Sequence, residues 1–251
     1  TFSGVALCGL FMRVVMVLAN AIISTRASQG LTWRLDHASW HEIKEMVKPA
    51  ASFMLFPLAN AVSFQGTTLL VGGLLGPATL VVFNTHRTVA RIAVQVTGIL
   101  SYALWGEFSA LFGKGGAQAV APVYWRSARI GIAFSVGLSV LLYFMSPTLL
   151  RLWTHGAIAC HPVMMALMLI YAAISGVWHI PRVLLMSTNQ HVHLAQWLLG
   201  LSIAGFGLAD LFGHLGWGVN GITSGLIVAE LATAVVCLYL TQIMLSKPHH
   251  Q

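Results

Sequence analysis

The chain has 251 residues, of which 57% are hydrophobic and only 8% charged, and its mean hydropathy is +0.82. A soluble globular domain carries about 25% charged residues, so a surface turned wholly to water does not fit this composition. The net charge of +7 comes from 13 basic and 6 acidic residues. In a soluble protein it would suggest nucleic acid, but here the basic residues lie mostly between apolar stretches, the pattern of loops beside a membrane, and nucleic-acid binding is set aside.

Measured against the ~20 residues needed to cross the hydrocarbon, the apolar runs predict an all-α integral membrane protein with about seven transmembrane helices. The first covers roughly Phe2 to Ser24. A polar segment follows, Thr25 to Lys48, whose second half reads as an amphipathic interfacial helix with Ser39 as N-cap and Glu42 at the capping-box position. Pro49 opens the second span, which ends near Leu75, and Gly76-Pro77 turns the chain into a long third span reaching Phe112. Lys114-Gly115-Gly116 breaks that helix, and a basic stretch from Pro122 to Arg129 leads into the fourth span, about Ile130 to Leu150. The fifth runs from Val163 to Met186, the sixth from Val192 to Phe212, and the seventh from Val219 to Leu245, before a polar tail at 247–251.

The positive-inside rule places the Thr25–Lys48 segment and the C-terminus in the cytoplasm, leaving Arg151 as the clearly external basic residue. One span, a large loop and six further spans suggest the end of one repeat followed by a complete six-helix repeat. The expected organisation is a last helix of a first lobe (1–24), an inter-lobe loop (25–48), a six-helix lobe (49–246) and a tail (247–251). The chain begins with Thr1 and enters an apolar run at once, so it is expected to be the C-terminal part of a longer protein, with an N-terminal lobe missing.

The third span carries the most informative pattern. Asn84, Arg87, Thr88, Arg91, Gln95 and Gly98 share one face at helical spacing. A guanidinium turned to lipid costs between ~3 and ~15 kcal/mol, so this face is expected to look into protein or a water-filled cavity. The arginines start about nine residues into the span, on the order of 14 Å from its outer end and close to the midplane. Two readings stay open: a cationic cavity lining for an anion, or a structural pair satisfied by Glu107, by backbone carbonyls or by the missing lobe. His86 falls on a different face and reads as a packing histidine. In the second span Asn60, Ser63 and Thr67 form another polar face, either for ligand hydroxyls or for helix–helix contacts. Ser175, His179 and Arg182 share a face of the fifth span, where Arg182 is close enough to the end to snorkel. Glu230, deep in the last span, could carry a coupling proton or cation, or neutralise an arginine.

The three cysteines, Cys8, Cys160 and Cys237, fit neither a metal site nor a disulfide framework. No nucleophile elbow, phosphate-cradling glycine loop or histidine pair at metal spacing occurs, so no enzyme activity and no cofactor are expected.

The run QGTTLLVGGLLGPATLVVFNTHRTVARIAVQV (Gln65 to Val96), followed by Trp105-Gly106-Glu107-Phe108-Ser109 and Leu111-Phe112-Gly113, resembles bacterial polysaccharide-repeat and O-antigen flippases. These share a superfamily with multidrug exporters and lipid II flippases. The resemblance spans Pro49 to about Leu245 and aligns with the C-terminal lobe. It implies two six-helix lobes around a cavity that alternates between the faces of the bacterial inner (plasma) membrane. It also implies an undecaprenyl-diphosphate-linked oligosaccharide as cargo, so the partners are that lipid, the surrounding membrane lipids and the absent lobe. On this reading Arg87 and Arg91, with Asn84 and Gln95, hold the pyrophosphate, since arginine's planar fork suits phosphate oxygens. Asn60 and Thr67 would then meet sugar hydroxyls. A cation-coupled multidrug exporter is the alternative within the superfamily, although a cationic substrate calls for carboxylates. A membrane-embedded glycosyl transferase or polymerase is the other, although a large extracytoplasmic loop is wanting.

Overall fold

The structure is a computed structural model and describes residues 2–27 and 39–246. The polar stretch 28–38 and the tail 247–251 lie outside the described residues, as does the side chain of Glu42, the expected capping-box partner. The fold is all-α among the described residues: α1 (Phe2–Ala27), α2 (Trp40–Ala61), α3 (Thr67–Ala103), α4 (Trp105–Trp153), α5 (Pro162–Ser187), α6 (Val192–Phe212) and α7 (Gly218–Ser246). One-turn π segments, Val62–Gly66 and Gly213–Trp217, follow α2 and α6. Among the described residues four continuous helical stretches are long and apolar enough to cross a membrane, and two of them join three and two of these helices in succession.

The chain divides into two compact units, Thr1–Met46 and Val47–Gln251, with the boundary inside α2. The first unit holds α1, whose last turn is tightened by Ser24 and Thr25 hydroxyls donating to the carbonyls of Asn20, Ala21 and Ile22. It also holds the start of α2, which begins directly after Ser39.

The second unit contains the six-helix region. Pro49 was expected to open a new span, but α2 continues through both Pro49 and Pro57. The carbonyl of Pro49 accepts from the Ser52 hydroxyl and from Nε2 of His191 at 3.2 Å, which fixes this end of the helix to the α5–α6 connection. His191 is fully buried against Phe53, and burial pulls its imidazole below the ordinary 6.5, opposed by the bond to Pro49.

The turn at Gly76-Pro77 is present within α3, where Gly76 takes φ 82°, open to glycine at no steric cost. It reverses the chain. On a straight helix Phe64 and Arg87 would lie roughly 35 Å apart, yet the Arg87 guanidinium is 3.1 Å from the Phe64 carbonyl. The long third span expected to reach Phe112 is shorter than that: α3 ends at Ala103, where Leu104 bonds to the carbonyl of Ser101. The break expected at Lys114-Gly115-Gly116 is real, with Gly116 at φ 60°, and the helix after it runs unbroken to Trp153, well beyond the expected Ile130–Leu150.

Helix α5 is the axis of the unit, packing on α3, α4 and α7, and buried side chains emerge on all its sides. Such a helix is a core element. Helices α6 and α7 form a tight pair, with Gly205 against Ala229 and Gly225 against the Ala209 backbone. Two apolar clusters result, one around Phe108, Tyr124, Leu184 and Leu194, the other around Val71, Phe83, Met165 and Leu169. The turns before Ala78, Pro162 and Val219 gather at one end of the bundle around a common groove.

Candidate functional site: two adjoining polar cavities

The site is built around the π segment Val62–Gly66. A π turn inserts one residue relative to an α-helix, so every later side chain is rotated by about 100°. Thr67, expected on one face with Asn60 and Ser63, is therefore turned away. It is fully buried, and its hydroxyl donates to the Ser63 carbonyl at 2.5 Å. Thr68 takes the forward position and meets Arg87 instead. In the distorted turn the Phe64 carbonyl accepts from the Thr67 amide and also from Thr68 Oγ1 (2.8 Å) and Arg87.

The two arginines separate into different roles. Arg87 is half-buried and commits three N–H donors: to Phe64 O at 3.1 Å, Thr68 Oγ1 at 2.7 Å and Asn84 Oδ1 at 2.5 Å. It ties the two antiparallel legs of the turn together. Arg91, one turn on, is exposed and makes no hydrogen bond or ion pair among the described residues. Its guanidinium lies 4.4 Å from the Phe64 ring centroid, and Arg87 lies 3.8 Å from the same ring. Phe64 thus holds both cations at one wall, and Glu107, the expected acidic partner, is exposed on α4 with no ion pair to either.

Both arginines line a cavity of about 150 Å³, together with Asn60, Ser63, Gln95 and Tyr171. Asn60, Gln95, Arg87 and Arg91 are brought together as the sequence suggests. Asn84 reaches the site only through Arg87, Thr88 is exposed and bonds back to the Asn84 carbonyl, and Thr67 is absent from the lining. Phe64, Thr68 and Tyr171 were not singled out by sequence. A phase count that allowed for an extra residue near Gly66 would have found Thr68, but nothing in the local pattern points to Tyr171.

A second cavity of about 140 Å³ shares the wall Asn60, Ser63, Val94, Tyr171 and Leu226 with the first. Glu230, only 7% exposed, lies in it. Its Oε1 accepts from the Ser175 hydroxyl and from the Trp178 indole N–H at 2.7 Å. It forms no ion pair with an arginine among the described residues, and the arginine whose charge acts on it is Arg182, in the same lining, rather than Arg87 or Arg91. Ser175, His179 and Arg182 do share this wall of α5. Thr97 Oγ1 donates to the Ala93 carbonyl and therefore accepts from His179 Nδ1 at 3.1 Å. Arg182 packs 4.9 Å from the Trp178 ring and donates to the Tyr102 hydroxyl at 3.3 Å, while its Nε is buried without a partner.

His86 is a structural residue. Its Nε2 accepts from the His161 amide at 2.9 Å, so the proton sits on Nδ1 and is donated to the Val82 carbonyl. Among the described residues no group of histidine, cysteine and carboxylate side chains could hold a metal ion.

No family model, curated protein or solved structure matches this chain.

Proposed function

We propose that this chain is the C-terminal lobe of a polytopic transporter of the bacterial inner membrane. It moves an undecaprenyl-diphosphate-linked oligosaccharide outward by alternating access against an N-terminal lobe. Seven helices span the membrane, with the inter-lobe segment and the C-terminus in the cytoplasm. Large exposed apolar side chains such as Leu69, Ile99, Phe144 and Val235 support a lipid-facing surface, since soluble monomers rarely expose contiguous apolar patches beyond a few hundred Å².

One observation carries the reading: Arg91 presents an uncommitted guanidinium to a cavity whose neighbouring cation, Arg87, is already hydrogen-bonded. A site arranged in this way fits an anion, and the pyrophosphate suits the arginine fork. The cavity is too small for a whole oligosaccharide, as ligand pockets run to about 300–1,000 Å³, which agrees with one lobe supplying one wall of a larger chamber.

The test is binding of undecaprenyl diphosphate bearing a disaccharide to the purified protein in lipid nanodiscs. Arg91→Ala is expected to weaken binding by about tenfold or more, the value of a charge-assisted hydrogen bond. Arg91→Lys should recover part of it. Unchanged affinity in Arg91→Ala, with unaltered thermal stability, would refute the anion site.

A further inference from the structure

Glu230 is a buried carboxylate that the anion site does not use. Two donors, from Ser175 and Trp178, converge on its Oε1, and the Tyr171 hydroxyl also bonds to the carboxylate, which leaves part of its acceptor capacity to the cavity. The charges around the cavity limit what can enter it. On α5, Arg182 and His179 share the lining, Tyr171 stands at the wall between the cavities, and Arg87 and Arg91 of α3 line the far side of that wall. An organic cation would meet Arg182 at once and then the arginine pair. An anion would meet Glu230 in a site of low dielectric. A neutral ligand rich in hydroxyl donors meets neither penalty, and it finds a carboxylate acceptor together with the Asn60 amide and the Ser63 hydroxyl.

We propose that the Glu230 cavity is a sugar-hydroxyl subsite, contiguous with the arginine cavity across the Tyr171 wall. This inference rests on the anionic-lipid reading of the first cavity. Because the cavities share Asn60, Ser63 and Tyr171, a pyrophosphate on Arg91 places the first sugar attached to it at the Glu230 side. A hydroxyl donating to a carboxylate is stronger than a neutral hydrogen bond, so Glu230 confers preference for a glycosylated lipid over the bare carrier.

Two probes decide it: undecaprenyl diphosphate with a disaccharide, and undecaprenyl diphosphate alone, each bound to the protein in nanodiscs. Glu230→Gln retains a carbonyl acceptor for Ser175 and Trp178 and is expected to fold. It should weaken binding of the glycosylated probe about tenfold and leave the bare carrier unaffected. Equal losses for both probes, or no loss for either, would overturn the subsite. So would a variant whose one change is the pH profile of binding, which would mark Glu230 as a proton site. Arg91→Ala separates this inference from the one beneath it. That variant should weaken both probes alike, and if it weakens neither, the anion reading fails whatever Glu230→Gln does.

Discussion

Arg87 and Arg91 lie one helical turn apart and carry the same charge, yet their surroundings assign them different work. Arg87 donates to Phe64, Thr68 and Asn84 and so bridges the helical legs on either side of Gly76. Its removal takes the Arg87 donor from Asn84 Oδ1 and from Thr68 Oγ1, while the Phe64 carbonyl loses one bond and keeps the one from Thr68. Arg87→Ala is therefore expected to lower stability by about 1.5–3 kcal/mol, the value of hydrogen bonds to a charged group. Arg91→Ala should cost no more than about 1 kcal/mol, the value of its exposed cation–π contact with Phe64. Thermal unfolding in one nanodisc preparation compares the two. Equal destabilisation would show that Arg91 is structural as well. The same spacing in sequence cannot separate the residues, because the partners of Arg87 come from 19 and 23 positions earlier in the chain.

At the scale of elements, two features of backbone geometry place the site. The π segment at Val62–Gly66 rotates the polar residues that follow, so that Thr68 rather than Thr67 meets Arg87. The close pairing of α6 with α7 brings Glu230 within reach of α5. At Gly225 an added Cβ would lie 2.6 Å from the Ala209 nitrogen and 2.8 Å from its Cα, both backbone atoms that cannot move aside. Gly225→Ala should therefore cost about 1–3 kcal/mol, as overpacking does. Gly200→Ala on α6, with nothing within 4 Å of the new Cβ, should be neutral or stabilising by up to about 1 kcal/mol through helix propensity. Thermal unfolding of the two variants provides the comparison, and a tolerated Gly225→Ala would argue against this helix pairing.

For the whole molecule, the proposed orientation sets two ends with opposite accessibility. Lys114 and Ala157 are both exposed and lie on either side of the long helix that follows Gly116. In a background with Cys8, Cys160 and Cys237 replaced by serine, Ala157→Cys should react with a membrane-impermeant maleimide in intact spheroplasts. Lys114→Cys should react only after permeabilisation. The reverse pattern would invert the topology, and labelling of both sites from outside would refute a crossing between them.

The all-α class, the turns at Gly76-Pro77 and Gly115-Gly116 and the arginine-bearing face were legible in the residues themselves. Each depends on local physics: apolar length, a glycine's access to positive φ, and the 3.6-residue period. The limits of α3 and α4 were not, because no glycine or proline marks Leu104, which keeps right-handed helical φ and ψ and bonds to the Ser101 carbonyl. The composition and the shared helix face of Arg87, Arg91 and Gln95 follow from the sequence alone, whereas the tertiary structure brings Asn60 to the same wall. Tertiary structure decided that Arg87 is hydrogen-bonded while Arg91 is not, and that Tyr171 lines both the arginine cavity and the Glu230 cavity. Those outcomes depend on contacts between segments dozens of residues apart, which no local period records.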